Sequence, residues 1–298
     1  MAARDLAIGM IFLVQTTVGI LGNSSLLSYY LFLCLTGCRS RPIDLILKHL
    51  IVGNSLVILA KGVPQTRAAL GLRHSLGDLG CKLLFYVHRV GRGVSISTTC
   101  LLSVLQAVII SPWTSRWAEL KWNAPKYVST SISLCWILQM LVNVIFPIYI
   151  TGKLSNKNIT NNKDFRYCST VRHDKATDSA FAALLSFPDV VCLGLMLGAS
   201  SCMVLILHRH KQRVQHIRTT NASHQYSESR ATKTILLLVS TFVGFYMLSA
   251  IFQVTLSVVD NPSWFLLSTN SVITLCFPTV SPYVLMCRDS RASRLCFA

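Results

Sequence analysis

Charged side chains are absent from four long stretches of the chain: Leu6 to Cys38, Tyr127 to Gly152, Thr234 to Val259 and Asn261 to Cys287. A helix rises about 1.5 Å per residue and bilayer hydrocarbon is about 30 Å thick, so roughly twenty apolar residues suffice to cross it. Each of these stretches is long enough. Three more apolar segments carry isolated charges. They are Ile43 to Val63 with Asp44, Lys48 and Lys61, Cys81 to Ile110 with Lys82, His88, Arg89 and Arg92, and Ala180 to Leu207 with Asp189. Lys48 and Lys61 lie towards the ends of their segment, where long stems snorkel to the headgroups. The pattern predicts an all-α membrane protein, a seven-transmembrane-helix bundle with helices near 6–35, 43–63, 81–110, 127–151, 180–207, 232–259 and 263–287. No repeat, low-complexity tract or soluble domain interrupts it, so residues 1–298 read as one domain.

An odd number of crossings puts the termini on opposite sides. With the N-terminus outside, the cytoplasmic side collects Arg39, Arg41, Arg116, Lys121, Lys126, the basic loop from His208 to Lys233, and Arg288, Arg291 and Arg294. That side then carries the larger share of Lys and Arg, as the positive-inside rule requires, and the C-terminus is cytoplasmic. The run after Asp5 exceeds the roughly 7 to 15 residues of a signal-peptide core, so it reads as the first helix and a signal anchor. Composition agrees. Hydrophobic residues make up 52% of the chain and charged residues 13%, against about 25% charged in soluble domains. The net charge of +17 belongs to loops facing anionic lipid and an acidic cytosolic partner. It does not indicate nucleic acid, because the cations fall between apolar runs and form no patch with exposed aromatics.

The candidate chemistry is confined to a few residues. None of the eleven cysteines forms a CxxC pair or a zinc-type cluster with histidine, so no metal is expected. Cys81 opens the third helix at its outer end and Cys168 lies in the second outer loop; an oxidising compartment permits a bridge between them, and two free thiols are the alternative. Of three N-x-S/T sequons, Asn23 lies within a span and Asn221 faces the cytosol, which leaves Asn158 to meet the glycosylation machinery. His88, Arg89 and Arg92 are costly inside a bilayer and must face the bundle or a wet cavity. His88 and Arg92 are spaced i, i+4 and share a face. Asp189, the carboxylate well inside a span, is the natural counter-ion for one of the arginines; a ligand pocket and a purely structural ion pair are both open readings. Pro147, Pro188, Pro278 and Pro282 free carbonyls and kink their helices. Ser240, Thr241 and Gly244 are expected to permit close helix packing. No HExxH, GxSxG or P-loop is present, so an enzyme is not expected, nor any cofactor; the last span lacks the lysine that a retinal Schiff base needs. A transporter or channel is the alternative class, although the expected spans show no repeated halves.

The run from Gly80 to Ser103, which contains Cys81, His88, Arg89, Arg92, Thr98, Thr99 and Cys100, resembles the third-helix signature of the mammalian vomeronasal type-1 receptors. Arg41-Pro42-Ile43-Asp44-Leu45, Ala118-Glu119-Leu120-Lys121, Glu228-Ser229-Arg230-Ala231-Thr232 and Phe277-Pro278-Thr279-Val280-Ser281-Pro282 are similar to blocks of the same family. The resemblance implies a rhodopsin-like receptor for pheromones or other small odorants, coupled to an inhibitory-type heterotrimeric G protein. It places the chain in the plasma membrane of vomeronasal or olfactory sensory neurons. It further implies a Cys81–Cys168 bridge and a glycan on Asn158. His88, Arg89, Arg92 and Asp189 become ligand-pocket candidates. Gln106, which stands where the wider rhodopsin-like class has an arginine, joins Arg116, Lys121, Arg209, Lys211 and Arg213 as G-protein-facing candidates. Asn54 stands where that class has a sodium-binding acid, and Ser281-Pro282 replaces its Asn-Pro motif. Cys287 and Cys296 are weak palmitoylation candidates.

Overall fold

The computed structural model describes residues 3–37, 41–71, 77–111, 124–144, 147, 150–151, 162–165, 168–171, 175–216, 237, 240–249, 251–252, 255 and 263–288. Helix α1 spans Ala3–Leu35. Helix α2 runs Pro42–Val57, passes through a π-turn at Ile58–Gly62 and continues Val63–Ala69 as one rod. Helix α3 is Asp78–Ile110, α4 is Ala124–Asn143 and α5 is Lys175–His216; α6 is described over 240–249, and α7 is Trp264–Arg288. Among the described residues, five helices are long and apolar enough to cross a membrane, namely α1, α2, α3, α5 and α7.

Local chemistry sets these boundaries. At the start of α2, Pro42 occupies the first turn and the Arg41 backbone N–H donates to the Asp44 carboxylate at 3.0 Å, which caps the helix. Asp78 begins α3, where a carboxylate suits the positive end of the helix dipole, and it pairs with Lys82 one turn on at 2.8 Å. Gly37 and Gly71 adopt positive φ just past α1 and α2 and donate back to Cys34 and Ala68, closing both helices.

Three boundaries differ from the sequence expectation, each for a backbone reason. Helix α4 ends at Asn143 instead of near 151, because Pro147 lacks an amide hydrogen and disfavours helical geometry in the residue before it. Pro147 therefore does not kink a span. Helix α2 does not stop at 63 but continues to Ala69: Pro64 removes the amide that would serve Ala60, and the π-turn absorbs the mismatch. Helix α5 is about 63 Å long at the standard rise, so both ends overshoot the hydrocarbon, and His208 to Lys211 are helical where a loop was expected. The fold also departs from purely all-α. Strands β1 (Ile150–Thr151), β2 (Asn162–Phe165) and β3 (Cys168–Val171) form an antiparallel sheet in the order β1-β3-β2, with Thr151 opposite Ser169 and Phe165 opposite Cys168. Strand β1 packs on α3.

Helix α3 is the central rod, with 72% of its apolar window buried against 28% for α5. Where α3 crosses α2, Gly53 and Gly91 face each other so closely that a Cβ on Gly91 would lie 3.0 Å from the Gly53 carbonyl. The expected close-packing residue Gly244 has nothing within 4 Å of an added Cβ among the described residues, and Ser240 and Thr241 bond back to Leu237 of their own helix. One core joins Leu26, Tyr30, Ile46, Leu50 and Ile51 to Ile96, Leu102, Phe242 and Phe277; a smaller one joins Phe12, Val57, Ile58 and Leu275. The outer surface is also apolar. Leu21, Leu141, Phe187, Leu195 and Phe265 are all more than half exposed, a surface suited to lipid and not to water.

Polar groups inside the bundle join helices. Pro282 cannot donate to the Pro278 carbonyl, and the Asn23 side chain of α1 donates to it instead at 2.9 Å. Gln15 donates to the Val272 carbonyl and Tyr283 to the Val18 carbonyl, each at 2.9 Å, so α1 and α7 are stitched along their length. Asn54 of α2 donates to Ser281 at 2.9 Å and accepts from Ser95 at 2.7 Å, tying α2, α3 and α7 at one point.

Candidate functional site

His88, Arg89 and Arg92 occupy the N-terminal half of α3, within about 17 Å of Cys81 along the helix. His88 and Arg92 share a face, as their spacing requires. The π-turn brings Lys61 of α2 to the same place, about 12 Å short of the end of its rod at Ala69. Lys61 thus lies two turns inside its rod, close enough to Arg92 to feel its charge. Lys61, Arg92 and Arg89 act electrostatically on His88, and its buried Nε2 has no hydrogen-bond partner among the described residues.

The two arginines are held apart. Arg89 Nε donates to Asn143 Oδ1 at 3.2 Å, and Asn143 donates in turn to the Gln139 carbonyl at 2.8 Å, so Arg89 is turned towards α4. Arg92 lies over the ring of Tyr246 from α6, 4.8 Å from its centroid, in cation–π geometry. The Tyr246 hydroxyl donates to Asp189 of α5 at 2.6 Å, a short charge-assisted bond. Asp189 was expected to pair with one of the arginines; among the described residues it makes no direct ion pair with either, and it is joined to Arg92 indirectly through Tyr246. Among the described residues, the ion pairs are Arg41–Asp44 and Lys82–Asp78, neither of them in this group.

Arg92 and Tyr246 line a cavity of about 390 Å³ including its open mouth. Its walls come from α2, α3, α6 and α7. Ile96, Phe242, Phe245 and Phe277 supply apolar surface, and Ser95, Ser249 and Thr274 supply hydroxyls. Phe242 meets Phe277 edge to face at 4.3 Å and stacks on Tyr246 at 5.9 Å, which makes the aromatic wall continuous. An apolar chamber with a few converging polar groups is the ordinary form of a small-molecule site. Among the described residues α5 lines no part of the cavity, and it is linked to the wall by the Asp189–Tyr246 bond.

The remaining predicted residues are scattered. Cys81 is buried and disulfide-bonded. Cys168 begins β3, and its side chain lies outside the described residues. Gln106 is buried near the other end of α3, its Nε2 without a partner among the described residues. Arg209 is exposed on α5; Lys211 and Arg213 are on the same helix, with side chains outside the described set. Asn158, Arg116 and Lys121 lie outside the described residues altogether. Cys287 is a free, exposed thiol. Sequence reasoning missed Tyr246, Asn143 and the inward position of Lys61. Tyr246 left a signal, being a hydroxyl in an uncharged run, whereas the turn that places Lys61 left none beyond Pro64.

A helical bundle clad in apolar side chains, with Arg92 lining an internal cavity, has the build of a multi-pass membrane receptor. Comparison with known proteins specifies which kind. The vomeronasal organ pheromone receptor family matches residues 6–298. The chain is 58% identical to vomeronasal type-1 receptor 4 of Homo sapiens, over all of this chain and 99% of that one. It is 57% identical to vomeronasal type-1 receptor 2 of Homo sapiens over 95% of this chain and 72% of that one, and 28% identical to olfactory receptor class A-like protein 1 of Danio rerio over 97% and 92%. The chain belongs to the vomeronasal type-1 receptor family and is a chemosensory membrane receptor.

Proposed function

We propose that the chain crosses the membrane seven times with its N-terminus outside, binds a pheromone or other small odorant in the cavity below Arg92 and Tyr246, and reports it to an inhibitory-type G protein. The observation that carries this reading is the cavity itself, enclosed between α2, α3, α6 and α7 on the side of α3 that begins at Cys81. The aromatic wall and hydroxyls suit a small, largely apolar molecule. A ligand that favours one arrangement of α3 against α6 and α7 shifts the equilibrium by its differential affinity, commonly about 1 to 3 kcal/mol of coupling.

Cys168 is the proposed partner of Cys81: β3 pairs with β1, and β1 rests on α3, so the strand bearing Cys168 reaches the right helix. Asn158, in the same outer segment, carries a glycan. On the opposite side Arg116, Lys121, Arg209, Lys211 and Arg213 face the G protein, with Gln106, buried and its Nε2 unmatched among the described residues, behind that face. The site of action is the plasma membrane of vomeronasal or olfactory sensory neurons. Reconstitution in nanodiscs with an inhibitory-type heterotrimer tests the reading: an odorant library contains members that accelerate nucleotide exchange, and Asn158→Gln abolishes a glycosidase-sensitive mass shift. Ligand-driven ion flux without any G protein, or an unchanged mass in Asn158→Gln, would overturn it.

A further inference from the structure

At the end of the bundle where α1 finishes and α2 begins, α2 is recessed between α1 and α4. From Pro42 to Ile58 none of its residues is fully exposed, and Leu45, Lys48, His49, Val52 and Leu56, each half-buried, recur at helical spacing as one stripe. The stripe is the floor of a groove. One wall is α1, whose exposed Cys34 accepts from Lys48 Nζ at 2.9 Å; the other is α4, whose Trp136 Nε1 donates to His49 Nδ1 at 3.2 Å. Lys126, Ser129 and Ser133, all exposed, continue the face of Trp136 towards the same end. Measured along the rods from the His49–Trp136 bond, Arg41 lies about 12 Å and Lys126 about 15 Å towards this end, so the two cations share one level. The long stem of Lys48 carries its ammonium outwards to the last turn of α1. There it meets a thiol, a weak acceptor, and among the described residues it makes no ion pair. The carboxylate one turn before it, Asp44, is already engaged by Arg41 at 3.6 Å and by the Arg41 backbone N–H.

We infer that this groove holds an anionic phospholipid of the surrounding leaflet, its head accepting from Lys48 and Lys126 and an acyl chain lying along Val52 and Leu56 against Trp136. The inference rests on α1, α2 and α4 crossing the membrane as proposed; with the N-terminus outside, the leaflet is the cytoplasmic one, where anionic lipids are concentrated. Charge selects the occupant. A zwitterionic lipid brings the same chains but a head whose own ammonium is repelled by the cations, and a sterol brings a hydroxyl without charge.

Full-length receptor is placed in nanodiscs of phosphatidylcholine alone, with added phosphatidylserine, or with added cholesterol, and its melting temperature is followed. Both leaflets of a nanodisc have the same composition, so the outcome does not depend on which way the chain is threaded. Phosphatidylserine raises the melting temperature and cholesterol does not. Lys48→Gln loses most of the rise and Lys48→Arg keeps it; Lys82→Gln, which removes the Asp78 partner at the other end of the bundle, keeps it too. Native mass spectrometry finds phosphatidylserine binding weakened about fivefold in Lys48→Gln, the share of one cation at an anionic surface. Brominated phosphatidylserine quenches a larger fraction of tryptophan fluorescence in the parent than in Trp136→Phe. The inference falls if phosphatidylserine and phosphatidylcholine give the same melting, if cholesterol raises it as far, if Lys48→Gln keeps the parent's rise, if Lys82→Gln loses as much, or if the quenched fractions are equal. The topology is read separately, by a membrane-impermeant maleimide on intact cells. Labelling that Cys34→Ser removes would overturn the N-outside reading while a rise that depends on Lys48 leaves the groove standing.

Discussion

The contact between α2 and α3 gives the sharpest test of the packing that assembles the site. A methyl group at Gly91 would lie 2.8 Å from Leu56 Cβ, 3.0 Å from the Gly53 carbonyl oxygen and 3.3 Å from Val57 N. None of these atoms can rotate away, since one is a Cβ and two are backbone. Ordinary carbon contacts sit at about 3.5 to 4.0 Å, so α2 must retreat by about 0.5 to 1 Å. Overpacking of this kind costs about 1 to 3 kcal/mol, while replacing a helical glycine by alanine returns about 0.5 to 1 kcal/mol. Gly91→Ala is therefore expected to lose up to about 2.5 kcal/mol net, with a midpoint of ~1 kcal/mol. Gly198 on α5 provides the control, because an added Cβ there meets nothing within 4 Å among the described residues. Gly198→Ala keeps only the propensity gain and is expected to be neutral to slightly stabilising. Melting of the detergent-solubilised receptor, followed with a thiol-reactive fluorophore, should move the two variants in opposite directions. A Gly91→Ala protein that melts at or above the parent temperature would refute the packing argument.

Two further outcomes follow from the hydrogen bonds. Asn23→Ala leaves the Pro278 carbonyl without a donor, because Pro282 cannot supply one, and is expected to cost about 1 to 3 kcal/mol in the same melting assay; an unchanged melting temperature would mean that the α1–α7 stitch contributes nothing. Tyr246→Phe strands the Asp189 carboxylate while keeping the ring beneath Arg92. The double variant Tyr246→Phe with Asp189→Leu should recover much of the loss, since removing both partners is milder than removing one, and strictly additive losses would contradict that bond.

The spans were legible because their signal is one-dimensional: an uncharged run such as Leu6 to Cys38 needs no knowledge of its neighbours to be recognised as a membrane rod. Their ends were legible only where a local rule applied. Pro42 and Asp44 mark the start of α2, but prolines served two purposes that the sequence does not separate. Pro147 stops α4, whereas Pro64 sits in a first turn that follows a π-turn and lets its rod continue. The apolar runs also hid polar continuity. Residues 208–211 looked like a loop because they are charged, yet they extend α5 beyond the bilayer, where charge is no obstacle to a helix.

The site was half legible for the same reason. His88, Arg89 and Arg92 announced themselves by cost, since a cation inside a span demands an explanation. What each cation meets depends on helix rotation, which periodicity of a nearly uniform apolar run does not fix. Asp189 was expected on an arginine because charge alone suggested it. The structure interposes Tyr246, which satisfies the carboxylate with its hydroxyl and Arg92 with its ring. Arg89 is drawn to Asn143, a residue the sequence placed within a plain apolar span. These two diversions matter together. By engaging Asp189 with the Tyr246 hydroxyl and turning Arg89 towards Asn143, the bundle leaves Arg92 at the cavity wall joined to a carboxylate only through the Tyr246 ring, so a change in how α6 sits against α3 and α5 alters how that buried cation is balanced.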